Sequence, residues 1–191
     1  MDPSPREPSA LSVTTSLASV ANTDIVPSSP PNQTVSASAV AVSPNGNFVA
    51  AVNPDSNSIT LVDSVSLEIL TEIHVGQDPR TLCFTPDSKK VLVTNHGSGT
   101  LSILDIAQSD EIAQYSVGSM PYGVVTDGTR AYVSEYGQSA LSVIDLETGA
   151  LLKRVQVDPF PAGLALTRNG DCLFITHFFT GRVTALYLPT S

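Results

Sequence analysis

A histidine and a carboxylate at equivalent positions of neighbouring units can bind a divalent cation, or act as base and orienter. The sequence offers one such pair, Glu135 and His177. Their column also contains Asn53 and Asn95, and the next column reads Pro54, His96, Tyr136 and Phe178. Segments just upstream add Arg80, Tyr122 and Phe160. A base, an acid, a cation and aromatic rings collected on one rim suit a polar ligand or a partner chain. The candidate ligand- or partner-binding residues are therefore Asn95, His96, Glu135, Tyr136, His177, Phe178, Arg80 and Tyr122. The competing explanation is that these loops have drifted and are merely solvated. Two ligands are too few for a metal site, and His96 lies one position off the column. No metal and no catalytic residue is assigned.

Other chemistry-bearing types read as structural. Asp63, Asp105 and Asp145 each end a strand before a turn, where a carboxylate can accept backbone N–H groups. They lie one unit apart, too far to share an ion. His74 falls in an outer strand. Cys83 and Cys172 occur in no CxxC or CxxCH pattern and serve as small strand residues. No G-x-S-x-G, Walker loop or H-E-x-x-H occurs. "HGSGT" at 96–100 is glycine-rich but runs into a strand, without the helix N-terminus of a phosphate loop. No cofactor is expected.

The elements that must position these residues are repeated. "SITLVD" (58–63), "TLSILD" (100–105) and "ALSVID" (140–145) fall 42 and 40 residues apart, and "RVTALY" (182–187) follows 42 later with Tyr187 in the Asp column. "AVSPNG" (41–46), "CFTPDS" (83–88), "VVTDG" (124–128) and "ALTRNG" (165–170) keep a second register. "IHVGQDP", "YSVGSMP" and "VQVDPFP" lie between copies. Val, Ile, Leu, Thr and Tyr alternate with small polar residues, the period of strands. Gly, Asn, Asp and Pro occupy the junctions. Each repeat reads as four short strands, with the candidate columns in the loop after the second.

Four antiparallel strands every 40–42 residues form a β-propeller blade, which needs neighbours to cover its faces. WD40 repeats share the period but need a Trp, and the chain has none. "VLVTN", "LSILD", "HVGQDP" and "FTPDS" resemble the YVTN-type β-propeller repeats of surface proteins and lactonase-like propellers. The resemblance covers about residues 37–188. Glu135 and His177 stand where that repeat has Asn, and Tyr187 where it has Asp.

The expected fold is all-β: a propeller with three full four-stranded blades and a partial fourth, as an arc of a larger ring. A Pro/Ser/Thr-rich tail or linker over 1–36, expected to be disordered, precedes repeats at about 37–78, 79–120, 121–160 and 161–191. Within the tail, "LSVTTSLASV" (11–20) is able to form a strand, and Asn32 matches a glycosylation sequon. The open arc admits three forms: part of a longer propeller, two chains completing one ring, or a four-bladed ring closed by the 11–20 strand. YVTN-like propellers commonly have seven blades, which favours the first.

Nine Lys and Arg face eighteen Asp and Glu, a net charge of −9, which disfavours nucleic acid and anionic membranes as partners. No apolar run is long enough to insert in a membrane. The N-terminus lacks the pattern of an export signal, whereas the resemblance implies an extracytoplasmic surface protein. The expected function is a binding or scaffold module that contacts a protein or carbohydrate through its loop face, with self-association to complete the ring also open. The alternative is the propeller portion of an enzyme, either a lactonase-like hydrolase or a redox enzyme whose cofactor lies on another domain.

Overall fold

The computed structural model describes residues 35–188. The expectations placed on 1–34, including the 11–20 strand and Asn32, lie outside these residues. The described chain is all-β apart from one 3-10 turn at Tyr136–Gln138.

Blade 1 consists of β2 (Val40–Val42), β3 (Phe48–Asn53), β4 (Ser58–Asp63) and β5 (Ile69–His74). Blade 2 has β6 (Pro79–Phe84), β7 (Lys90–Asn95), β8 (Thr100–Asp105) and β9 (Asp110–Ser116). Blade 3 has β10 (Pro121–Thr126), β11 (Arg130–Glu135), β12 (Ala140–Asp145) and β13 (Leu151–Gln156). Blade 4 has β14 (Pro161–Leu166), β15 (Cys172–His177) and β16 (Val183–Tyr187). A two-residue strand, β1 (Val35–Ser36), pairs antiparallel with the inner edge of β14. From there the chain crosses to blade 2, where Ser38 bridges Leu82.

A hydroxyl column explains the turn after each first strand. Ser43 accepts from the Phe48 N–H, Thr85 from that of Lys90, and Thr167 from that of Cys172. The Thr126 hydroxyl instead donates to the Arg130 carbonyl across the shortened third turn. The Asp column closes the turn after the third strand of blades 1, 2 and 3. Asp63 Oδ1 accepts from Val65 and Ser66, Asp105 from Gln108, and Asp145 from Glu147 and Thr148. Backbone donors hold the Asp63 and Asp145 carboxyls below the usual carboxylate range.

The core lies between blades. Cys83, Leu92, Leu101 and Ile103 on the trailing face of blade 2 meet Val124, Ala131, Val133 and Ile144 on the leading face of blade 3. Val125, Tyr132 and Leu141 then meet Leu164, Leu166, Leu173 and Ile175 of blade 4. Burying one such side chain contributes about 1.5–3 kcal/mol. Hydroxyls reinforce two of the junctions: Thr94 donates to the Tyr122 carbonyl (2.6 Å), and Ser134 to that of Ala162 (2.7 Å). Cys83 and Cys172 are buried and free, and burial pushes the Cys83 thiol up. The four blades form an arc of a larger propeller.

Candidate functional site

Two sets of loops open on one face and are clamped together by a repeated backbone bond. His96 N–H donates to the Asp78 carbonyl (2.9 Å), Tyr136 to Met120 (3.1 Å) and Phe178 to Phe160 (3.0 Å). The three acceptor residues share a conformation, with φ of 51°, 54° and 57° for Asp78, Met120 and Phe160. Each precedes the proline that opens the next inner strand. Left-handed backbone is unusual for Met and Phe, and costs about 1–2 kcal/mol per residue. It turns the side chains of Met120 and Phe160 out into solvent.

The column at the end of each second strand lies inside the blades. Asn53 Nδ2 donates to Ser58 and Thr60, and Asn95 Nδ2 to Thr100 and Ser102. In blade 3, Glu135 Oε1 accepts from Ser142 and from Arg154 Nε (3.1 Å), while Arg154 also donates to the Val117 carbonyl (2.9 Å). In blade 4, His177 Nε2 pairs with Thr184 and Nδ1 with the Pro159 carbonyl. Asn95, Glu135 and His177 are all buried. Glu135 and His177, the acid and base of the candidate column for which a shared ligand was geometrically possible, each bond groups beside their own strand. A side chain at this position points along the sheet to the hydroxyl seven residues on, not to the channel mouth. Gly118 makes room for the acid, since a Cβ there would collide with the Glu135 carboxylate.

The next column is half-buried at His96 and Tyr136, exposed at Phe178, and gathers rings. His96, Tyr122, Tyr136 and Phe178 come together, and Phe160 and Phe179 extend the group. Ring centroids lie 6.2 Å apart for His96–Tyr122, 5.7 Å for Tyr122–Phe178, 5.3 Å for Tyr136–Phe160 and 5.2 Å for Phe160–Phe179. Phe178 is 56% and Phe179 73% exposed, a large apolar display for a loop face. Arg80 stands one blade earlier in the Tyr122 column, with its guanidinium on Asp78 at 2.8 Å. Sequence reasoning singled out four of the six rings as candidates. Phe160 was noted as a loop residue only, and Phe179, one position beyond the repeat column, gave no signal.

His96 Nδ1 faces the Pro121 carbonyl at 3.3 Å. Among the described residues no three His, Cys, Asp or Glu side chains cluster to hold a metal ion. Nor is any helix among them long and apolar enough to cross a membrane. The arrangement can stack planar or apolar groups on rings and offer His96 and the two tyrosine hydroxyls as polar contacts.

Known proteins of the same shape are larger. The hydrazine synthase of Kuenenia stuttgartiensis superposes with a TM-score of 0.72 at 26% identity, over 78% of this chain and 45% of that one. A functionally unknown protein from Desulfotomaculum acetoxidans gives 0.65 at 14% identity, over 80% and 55%, a likeness of fold alone. The chain thus spans about half the length of these structures. No curated protein matches the sequence. The model of the lactonase, 7-bladed β-propeller family matches residues 9–114, more than half of the chain. With that match and four blades of this architecture, the chain belongs to the lactonase, 7-bladed β-propeller family.

Proposed function

We propose that this chain is a propeller binding module that contacts a protein or carbohydrate partner through the ring cluster of its loop face. The observation that carries the reading is the ring cluster in which exposed Phe160, Phe178 and Phe179 pack with half-buried His96, Tyr122 and Tyr136. Aromatic side chains that pack on one another bring large contact area at little entropic cost, and dominate interface energetics. The folding core does not need them, because the interblade clusters are complete without these rings. The two most reactive candidates, Glu135 and His177, are bonded inside their blades, which favours binding over catalysis here.

The second reading is the propeller portion of an enzyme whose chemistry lies on another part of a longer protein. Its support is the likeness to hydrazine synthase and the family's lactonase description. In that case the same face docks the catalytic part.

The test is an NMR titration of the 191-residue chain with a soluble xylan and, separately, with a Tyr/Phe-rich peptide. Binding should shift resonances of the ring cluster. Tyr136→Ala and Phe178→Ala should each weaken it at least tenfold, with melting shifted by no more than about 0.5 kcal/mol equivalent. Shifts confined to other surfaces, or variants that bind as well as the parent, would refute the loop-face reading.

A further inference from the structure

A slot that one junction fills with a ring stands open at the junction before it. Tyr115, on the outermost strand of blade 2, leans on blade 3. Its hydroxyl donates to the Leu146 carbonyl (3.4 Å), and a Cβ on Gly149 would collide with its ring. One blade earlier the repeat places Ile73 for Tyr115, Ile106 for Leu146 and Ser109 for Gly149. The changes fit one another. A Cβ at the glycine position excludes the tyrosine, so Ser109 goes with the shorter Ile73. Ser109 keeps the left-handed backbone of that turn, with φ 55° against 73° for Gly149. What remains is a groove of about 500 Å³ between blades 1 and 2, walled by Phe48, Leu61, Leu70, Ile106, Ala107 and Ser109. Both blades are complete four-stranded sheets, so neither wall is an end of the arc.

We propose that this groove seats a tyrosine side chain of a partner protein, as the next junction seats Tyr115. Concave sites with apolar walls and few polar groups suit such a ring, and tyrosine is among the residues that most often anchor interfaces by filling pockets. The Ile106 carbonyl, counterpart of the Leu146 carbonyl, takes the phenol hydrogen. Its contact with the Ser109 hydroxyl is long, at 3.4 Å, and a closer donor can displace it. Lys89 and Asp105 also line the groove, one charge of each sign, which favours a neutral phenol over a phosphorylated one. The flanking turns, 85–89 and 106–109, join the strand ends opposite to the loop face. This site is therefore separate from the ring cluster and does not rest on it.

An NMR titration of the 191-residue chain with p-cresol, the tyrosine side chain without its backbone, and with N-acetyltyrosinamide tests the proposal. Both should shift Phe48, Ile106, Ala107 and Ser109. Toluene, which lacks the hydroxyl, should bind about threefold or more weakly than p-cresol. Ile73→Tyr with Ser109→Gly copies the neighbouring junction, and should fill the groove and abolish these shifts while keeping the β-sheet circular dichroism. Should that pair unfold the chain, Tyr115→Ile decides instead. It opens the junction between blades 2 and 3, and should add a second set of p-cresol shifts at Leu146 and Gly149. Shifts confined to other surfaces, a folded double variant that binds as the parent does, or Tyr115→Ile without new shifts would overturn the proposal. Toluene binding as tightly as p-cresol would overturn the choice of tyrosine. Binding of p-cresol without N-acetyltyrosinamide would overturn the partner protein in favour of a small phenol.

Discussion

Arg154 reaches from the outermost strand of blade 3 to the buried carboxylate of Glu135, with Nε 3.1 Å from Oε1. The matching positions in blade 2 are Gln114 and Asn95, which both bond the shared hydroxyl of Ser102. Blade 3 has replaced a neutral network with an ion pair at the same site. Glu135 Oε2 makes no hydrogen bond among the described residues, so the acid depends on the guanidinium. Arg154→Met should therefore destabilise the chain by about 1–3 kcal/mol, less than for a fully buried pair because the arginine is partly exposed. Glu135→Asn with Arg154→Gln, which restores the blade 2 network, should return stability to within about 1 kcal/mol of the parent. Urea unfolding of the three proteins measures both effects.

Phe160→Gly separates display from packing. The residue sits at φ 57°, where glycine is at ease, and its ring touches Tyr136 and Phe179 on the surface. Stability should be unchanged or rise by up to about 1 kcal/mol, as the left-handed strain is relieved. Partner binding on the loop face should fall. A loss of more than about 1 kcal/mol in a thermal melt would mean that the ring is structural.

Gly149 and Gly170 have the same φ of 73°, but a Cβ at Gly149 would collide with the Tyr115 ring, whereas one at Gly170 meets nothing. Gly170→Ala should cost only the left-handed penalty, about 1 kcal/mol. Gly149→Ala should cost about 1–3 kcal/mol more, because Tyr115 must leave its place against the Leu146 carbonyl. Equal costs in denaturant melts would show that the ring moves freely.

Stability should fall in acid through the turn carboxylates. Thr85 holds Asp87 low, and backbone donors do so for Asp63 and Asp145. Burial pushes Asp127 up, but N–H donors from Arg130 and Thr129 outweigh it and leave it low. A carboxyl with a depressed folded value contributes stability above its unfolded value, near 3.9, and loses it as pH falls through the folded value. Urea midpoints should be flat from about pH 7 to 5 and drop below about pH 4. Asp145→Asn should make that drop shallower.

The blade register was open to sequence reasoning because the turn chemistry repeats with the strands. Ser43, Thr85, Thr126 and Thr167 mark the first turn, and the Asp column marks another. The candidate columns were harder to place. Asn95, Glu135 and His177 look like rim residues, since polar side chains at a strand end usually face water. Their burial is explained by Ser102, Ser142 and Thr184, each seven residues on, a spacing visible in the sequence only once the register is known. The gathering of rings depends on the left-handed turns at Met120 and Phe160, which no residue type there announces. The pairing of Val35–Ser36 with β14 was not legible, because two residues carry too little pattern to name a partner.

That pairing has a kinetic consequence. Within each blade, consecutive strands are joined by short turns, so their contacts close small loops quickly. The contact of Val35 with Leu166 closes a loop around nearly the whole described chain, and its entropic cost grows with that length. The blades should therefore assemble first, each on its predecessor, with the strap across their inner edges arriving last. It should also be the first part to let go, so amide exchange at Ala37, bonded to the Leu164 carbonyl, should run far ahead of exchange within β7 and β11.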